Sequence, residues 1–395
     1  MSQSSPPAPI PRRRPSCRAL AALLLAVVLG LVAGSCASLR YYGQAVRGGA
    51  AVLVKRQPIE RILQSGGDSL GAERRRVLEE ALRIREFASR ELGLPRNDSY
   101  RSVVDLGREE VTWLVTATPE LSLEPVEWCF LFAGCVTYRG YFSHRAAERF
   151  AAALADDGYD VALGSATSYS TLGWFADPIF EPQLSWPRWQ LAALVFHELA
   201  HQAFYLPGDT ALNESFATAV EEWGLDRWLR EDPESRGAAR RAAQLEADFV
   251  ARVLAARSEL DAVYAASLPP ERKRERKRRI LERLSAAYLE DATSSSDDYP
   301  EGPVYRAWFD RPLNNAHIAA VADYSLWVPG LLARLELLGL DAVVAELEDL
   351  GSFTQEQRDA RLTAWNEEAA PRDAESAPGS IDAPAGSVRL TSEAR

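Results

Sequence analysis

The sequence predicts an α+β protein, mostly helical, with a small mixed β-sheet. Three observations carry this. Several long segments repeat apolar residues every three or four positions, the period of a helix with one buried face. A block over residues 102–163 is instead rich in β-branched and aromatic residues with partial alternation. His197 and His201, four apart, lie in an apolar stretch of helical length. At 395 residues, nearly half of them apolar, the chain can bury one large core or two ordinary ones. Its net charge of −11 excludes nucleic acid as a general partner, because phosphate binding needs a basic surface. A single Met excludes a Met-rich docking groove.

The chain is expected to fall into three parts: residues 1–35 as a signal peptide, 36–368 as one folded domain and 369–395 as a disordered tail. Arg12, Arg13, Arg14 and Arg18 form a positive n-region, followed by an apolar run of sixteen from Ala19 to Gly34. That run is short for a bilayer span and right for a signal-peptide core. Its end, Ala33-Gly34-Ser35-Cys36, resembles a bacterial lipobox, which makes Cys36 the expected lipidation site, although Ala33 replaces the usual larger aliphatic residue. An uncleaved N-terminal anchor is the other reading. Both put the remainder outside the cytoplasm, in the cell envelope. Ala37 after the Cys favours an outer-membrane, periplasm-facing location under enteric-type sorting.

Cysteine usage agrees with export. Beyond Cys17 and Cys36 the chain holds only Cys129 and Cys135, an even pair for an oxidising compartment. A structural disulfide closing that short loop is expected. A second metal site is the alternative, but no further Cys or nearby His supports it.

Glu73 to Leu92 reads as a helix: Val77, Leu78, Ala81, Leu82, Ile84 and Phe87 form a stripe, and Gly93 and Pro95 stop it. Strands are expected over 102–106, 110–116, 136–142 and 159–163, with a helix over 145–156 between the last two. The strand around Tyr138 to Phe142 could take an extended peptide by edge pairing, or be an ordinary core strand. Residues 168–178 form an aromatic, turn-rich loop. Pro187 suits a first helical turn, Trp189 to Phe204 continues the helix, and Pro207-Gly208 ends it. Asp209 or Thr210 caps a second helix running to about Arg230. Residues 238–290 are helical with a break near Leu268-Pro269-Pro270. The basic stretch from Glu271 to Arg279 could face anionic lipid, but interleaved Glu271 and Glu275 favour a solvated helix face. A polar linker over 291–302 precedes further apolar helices to about Trp365. After Ala369 the chain is rich in Pro, Ala, Ser and charge, a disordered composition.

The chemistry concentrates at His197-Glu198-Leu199-Ala200-His201, the H-E-x-x-H pattern. Two imidazoles on one helix face can share one ion, and Glu198 beside them can take a proton from acidified water. Alone, such a pattern is often a chance feature of a helix. A catalytic zinc site needs a third protein ligand and an open position. Pro207 stands where the metzincin pattern requires a His, so that branch is excluded. Glu214, early on the following helix, is the third expected ligand to a single Zn²⁺; by itself it would read as a charge placed near a helix N-terminus. Glu221, seven residues on, shares its helix face and could orient an imidazole, with a solvated carboxylate as the favoured reading. His144 and His317 are expected to be surface or structural.

His-Glu-Leu-Ala-His-Gln (197–202) with Leu-Asn-Glu-Ser-Phe-Ala (212–217) resembles the paired signature of aminopeptidase N-like gluzincins, and most of residues 40–365 resembles a family of predicted bacterial zinc aminopeptidases. The resemblance implies a gluzincin-like metallopeptidase fold and a peptide or protein substrate. It implies hydrolysis by zinc-activated water with Glu198 as general base, and a Tyr or His facing the oxyanion. Tyr324 is chosen for that role, with a helix-packing tyrosine as the alternative. The spacing from His201 to Glu214 is shorter than in aminopeptidase N or thermolysin, and the Gly-Ala-Met-Glu-Asn segment that holds a substrate amino terminus is absent. The resemblance therefore carries the metal chemistry and not the selection of substrate. A different class, an envelope assembly or chaperone lipoprotein with a structural or incidental zinc, would retain its role in a Glu198→Gln variant.

Overall fold

In the computed structural model, residues 40–65, 70–130, 134–168, 171, 173–294 and 304–369 are described, the side chains of 291–294, 323 and 324 excepted. Cys36 and the tail after Ala369 lie outside them. The chain divides into two compact units, residues 1–50 and 51–395. Of the first, residues 40–50 are helical. The second holds everything that follows.

Its residues 51–55 are helical, and β1 (Gln57–Pro58), α1 (Ile59–Ser65) and α2 (Ala72–Arg90) follow. The β-rich block contains β2 (Ser102–Val104), β3 (Thr112–Pro119), β4 (Trp128–Phe130), β5 (Gly134–Val136) and β6 (Tyr138–Tyr141). Next come α3 (His144–Asp156), β7 (Tyr159–Ala166) and β8 (Ile179–Phe180). The remainder is helical: α4 (Arg188–Ala203), α5 (Thr210–Trp228), α6 (Pro233–Ala265), α7 (Pro270–Ser294) and α8 (Arg306–Phe309). The series ends with α9 (Asn315–Ser325), α10 (Val328–Leu338), α11 (Leu340–Leu350) and α12 (Gln355–Ala369). The protein is mostly helical with small sheets, an α+β arrangement.

The β-structure differs from the single mixed sheet expected. Among the described residues there are three small sheets: β1-β2-β8, β6-β3-β7 and the hairpin β4-β5. Only the first is mixed, since β2 pairs antiparallel with β1 and parallel with β8. Its parallel partner arrives more than seventy residues later in the chain, a pairing that local alternation cannot announce. In the second sheet β3 is central, with Trp113 opposite both Tyr141 and Ser165.

Helices α4 and α5 pack on each other at the centre of the larger core. Leu191 through His201 on α4 and Leu212 through Glu221 on α5 are buried without interruption. Neither helix has an apolar stripe; both are enclosed on all sides, as their composition requires. Val195, Phe196 and Leu199 of α4 meet Phe216 and Val220 of α5 in that core. Gly224 allows the close approach: a Cβ there would lie 2.7 Å from Phe196 and 2.8 Å from Leu92. A second core, built on Phe249, Val253, Leu260, Ile280 and Leu284, joins α6 to α7 and reaches Ile318 on α9.

Helix α9 ties the helical layer to the β6-β3-β7 sheet. Asn314 caps it, accepting from the Ala316 amide at 3.0 Å, and donates to the Val161 carbonyl at 2.8 Å. The Asn315 side chain donates to the carbonyls of Glu120 and Ser122 at 3.0 and 2.9 Å. The Asn-Asn pair is thus a structural fastening. His317 completes the cap with its ring and is buried; burial, then Arg311, lowers its pKa to about 4. His144 is partly exposed and rests against Trp113.

The basic stretch on α7 is largely answered by carboxylates. Arg274 bonds Glu120 at 2.8 Å, Lys277 pairs with Asp160, and Arg278 and Arg279 pair with Glu282 and Glu275. That agrees with a solvated, ion-paired face. No helix among the described residues is long and apolar enough to cross a membrane.

Candidate metal centre

His197, Glu198 and His201 lie on α4, and Glu214 lies in the second turn of α5. The connection between the helices sets their register. Helix α4 ends where Phe204 turns extended, and Gly208, at φ +88°, reverses the chain. Asn213 then clamps the turn: its Oδ1 accepts from the Leu206 amide at 2.7 Å, and its Nδ2 donates to the Leu206 carbonyl at 2.8 Å. Asp209 caps α5 through the Leu212 amide and accepts from Arg358 Nε at 2.9 Å. The turn is also braced from outside. Cys129 and Cys135, directly opposite in the β4-β5 hairpin, are joined by a disulfide. The adjacent Gly134, at φ +74°, lies so close to the turn that a Cβ would sit 2.9 Å from Pro207.

This frame brings three side chains to one point. Glu214 Oε2 lies 3.5 Å from Nε2 of His197 and 3.5 Å from Nε2 of His201. The three form the one cluster of metal-ligating groups found among the described residues, with one donor atom of each within 4.8 Å of the others. Two atoms bound to one zinc at tetrahedral angles are separated by about 3.4 Å, given metal–ligand bonds of about 2.0–2.1 Å. The donor set and the two 3.5 Å separations are compatible with one shared metal ion. The two rings stand at 83° with centroids 5.0 Å apart, so their nitrogens converge without stacking.

All three residues and Glu198 are less than a tenth exposed. Burial disfavours a charge on His197, but its hydrogen bonds to Glu214 and Glu221, which accept them, together with the charges of both carboxylates, outweigh it and raise its pKa to about 10. Burial likewise opposes ionisation of Glu214; the charge of His201 and the hydrogen bonds of both histidines overcome it and lower its pKa to about 2. Without metal, the carboxylate and an imidazolium hold each other in place. Tyr205, just past α4, has its pKa raised by burial and by the negative charge of Glu214.

Glu221 is not the solvated carboxylate that the sequence favours. It is 5% exposed, and its Oε2 lies 3.2 Å from Nδ1 of His197. The seven-residue spacing from Glu214 put it on the correct face, and the packing of α6 on α4 belongs to the tertiary fold. Three further groups escaped sequence reasoning. Ser168 Oγ donates to Glu198 Oε1 at 2.6 Å. Both carboxylate oxygens of Glu222 are buried with no partner among the described residues, and burial, then Glu221, raises its pKa well above the usual range. Glu246 on α6 is raised to about 8 by burial, then by Glu221. Consecutive glutamates on α5 were the only signal for this group; nothing pointed to Ser168 or Glu246. Tyr324 lies on α9, and its side chain is outside the described residues.

Beyond the ligands, Gln202 fastens α4 to two loops. Its Oε1 accepts from Asn97 Nδ2 at 2.7 Å, and its Nε2 donates to Ser99 Oγ and Asp177 Oδ2, each at 3.3 Å. Arg85, 2% exposed, holds the first loop through the carbonyls of Ser99 and Pro95 at 2.8 and 2.7 Å.

The fold and the site define a mostly helical α+β protein with a buried two-histidine, one-carboxylate centre capable of holding a metal ion. Residues 40–362 match the model of the family described as "Putative aminopeptidase", and the chain belongs to that family. No curated protein and no solved structure matches it.

Proposed function

We propose that this protein is a zinc-dependent peptidase of gluzincin type, an aminopeptidase, acting on peptides or proteins at the cell envelope. The observation that carries the proposal is the convergence of His197 Nε2, His201 Nε2 and Glu214 Oε2 beside Glu198 on a shared buried frame. Two nitrogens and one carboxylate oxygen suit zinc and leave a position open, the arrangement of catalytic sites. A zinc bound there would supply Lewis acidity and acidify a water molecule at neutral pH. Glu198 is the base that takes the proton and passes it to the leaving amine. Glu221 holds the His197 ring through Nδ1, and Tyr324 is assigned as the oxyanion donor on the family resemblance. The description of the family supports an aminopeptidase.

The envelope location rests on the Arg-rich leader, its sixteen-residue apolar run and Cys36 as the lipid-bearing residue. The Cys129–Cys135 disulfide suits the same oxidising compartment. The acidic net charge supports the absence of nucleic acid among its partners.

The test is to digest a peptide mixture with free and blocked amino termini, with metal analysis of the same sample. Release of amino-terminal residues from free peptides only, with one zinc per chain, is expected. Internal cleavage of blocked peptides would overturn the exopeptidase assignment and leave the metal chemistry standing. Glu198→Gln is expected to keep the metal and lose turnover; retained turnover would remove Glu198 as the base.

A further inference from the structure

We propose that Ser168 is a positioning residue for Glu198, holding one carboxylate oxygen so that the other is presented to the reacting water. The inference rests on the peptidase reading above and adds a residue that neither the motif nor the family description contains. The bond from Ser168 Oγ to Glu198 Oε1, at 2.6 Å, is at the short end for a hydroxyl donor. It reaches a glutamate that is 7% exposed, where little water is available to take its place.

The chain leading into Ser168 is held by the sheet and by Gln183. Ser168 follows β7, whose last residue, Ala166, pairs with Thr112 of the central strand. The carbonyl of Thr167 accepts from Gln183 Nε2 at 2.7 Å, and Gln183 is 1% exposed. Beyond Ser168 the chain returns to the same helix one turn farther on, where Asp177 meets Gln202. Within this strap Thr171 donates to Asp177 from both its amide and its hydroxyl, and Phe175 N donates to Thr171 Oγ1 at 3.0 Å. Gly173, at φ +81°, lies against Gln202, with a Cβ position 3.5 Å from that side chain. Glu198 and Gln202, one turn apart on α4, are thus met by Ser168 and by Asp177 respectively.

A glutamate has three side-chain torsions, and a general base that strays by about 1 Å can lose on the order of 10²-fold in rate. A bond to one oxygen removes that freedom and leaves the second oxygen to accept the proton. Because the hydroxyl acts through Glu198, its loss should alter the chemical step and leave substrate and metal binding alone.

The experiment compares Ser168→Ala and Ser168→Thr with the wild-type metal-loaded protein on one unblocked peptide. Ser168→Ala is expected to lower kcat about tenfold or more with KM and metal content unchanged, and Ser168→Thr, which keeps the hydroxyl, to recover most of it. Thermal unfolding of the metal-free protein reads the bond without turnover: the shifts caused by Ser168→Ala and Glu198→Ala should be non-additive in the double variant. An unchanged kcat, a change confined to KM, loss of metal from Ser168→Ala, or additive unfolding shifts would each overturn the assignment. Absence of turnover by the wild-type protein would instead bring down the peptidase reading, and this assignment with it.

Discussion

Glu221 Oε2 lies 3.2 Å from Nδ1 of His197, behind the ring whose Nε2 faces Glu214, whereas Nδ1 of His201 is buried with no partner among the described residues. The two imidazoles are therefore unequal. The His197 ring is oriented by a buried carboxylate at Nδ1, whereas His201 meets Glu214 at Nε2.

Replacing Glu221 by Gln should accordingly weaken metal binding by about 10–100-fold, the usual cost of losing a partner that orients a ligand histidine. The fold should survive, because the amide keeps the volume of the carboxylate. A metal-buffered titration of the variant against wild type measures the effect. Equal affinities would show that the Glu221 contact does not govern His197.

Metal binding should stabilise the protein increasingly as pH rises. The folded pKa of His197 is raised from 6.5 to about 10, so its contribution to the metal-free fold is complete below pH 6.5 and is lost as pH rises through about 10. That of Glu214 is lowered from 4.5 to about 2, so its contribution is present above pH 4.5 and lost as pH falls through about 2. A metal needs the neutral imidazole and must displace the proton, so protons are released on binding. The difference in Tm between loaded and metal-free protein should grow between pH 6 and pH 9, read by thermal scans with and without chelator.

Glu246 gives a separate pH effect away from the metal. Its folded pKa, raised to about 8 by burial and then by Glu221, exceeds the ordinary 4.5. Such a group favours the fold fully below pH 4.5, and this favour is lost as pH rises through about 8. Glu246→Gln should therefore leave Tm little changed near pH 4.5 and raise it by several degrees at pH 9, measured on metal-free protein. The same Tm difference at both values would contradict the assignment.

Gly224→Ala should destabilise the protein by about 1–3 kcal/mol, because the added methyl would push α5 away from Phe196 of α4 and from Leu92, just beyond α2. Since α4 and α5 carry all three candidate ligands, metal affinity should fall as well. Denaturant unfolding and a metal titration on the same variant test both effects.

The metal cluster was legible in the sequence to the extent that its geometry is local. His197 and His201 share a face because a helix repeats every 3.6 residues, and Pro207, Gly208 and Asp209 mark the reversal that returns Glu214. The cysteine pair and most helix boundaries were local in the same sense. Tertiary structure alone decided the rest. The carboxylate behind His197, the hydroxyl on Glu198, the buried Glu246 and the pairing of β2 with β8 join residues far apart in the chain. Such contacts depend on how helices and sheets pack, and packing leaves no period in the sequence. Glu221 shows the boundary best: its helix face could be read from spacing, but its burial is set by its neighbours.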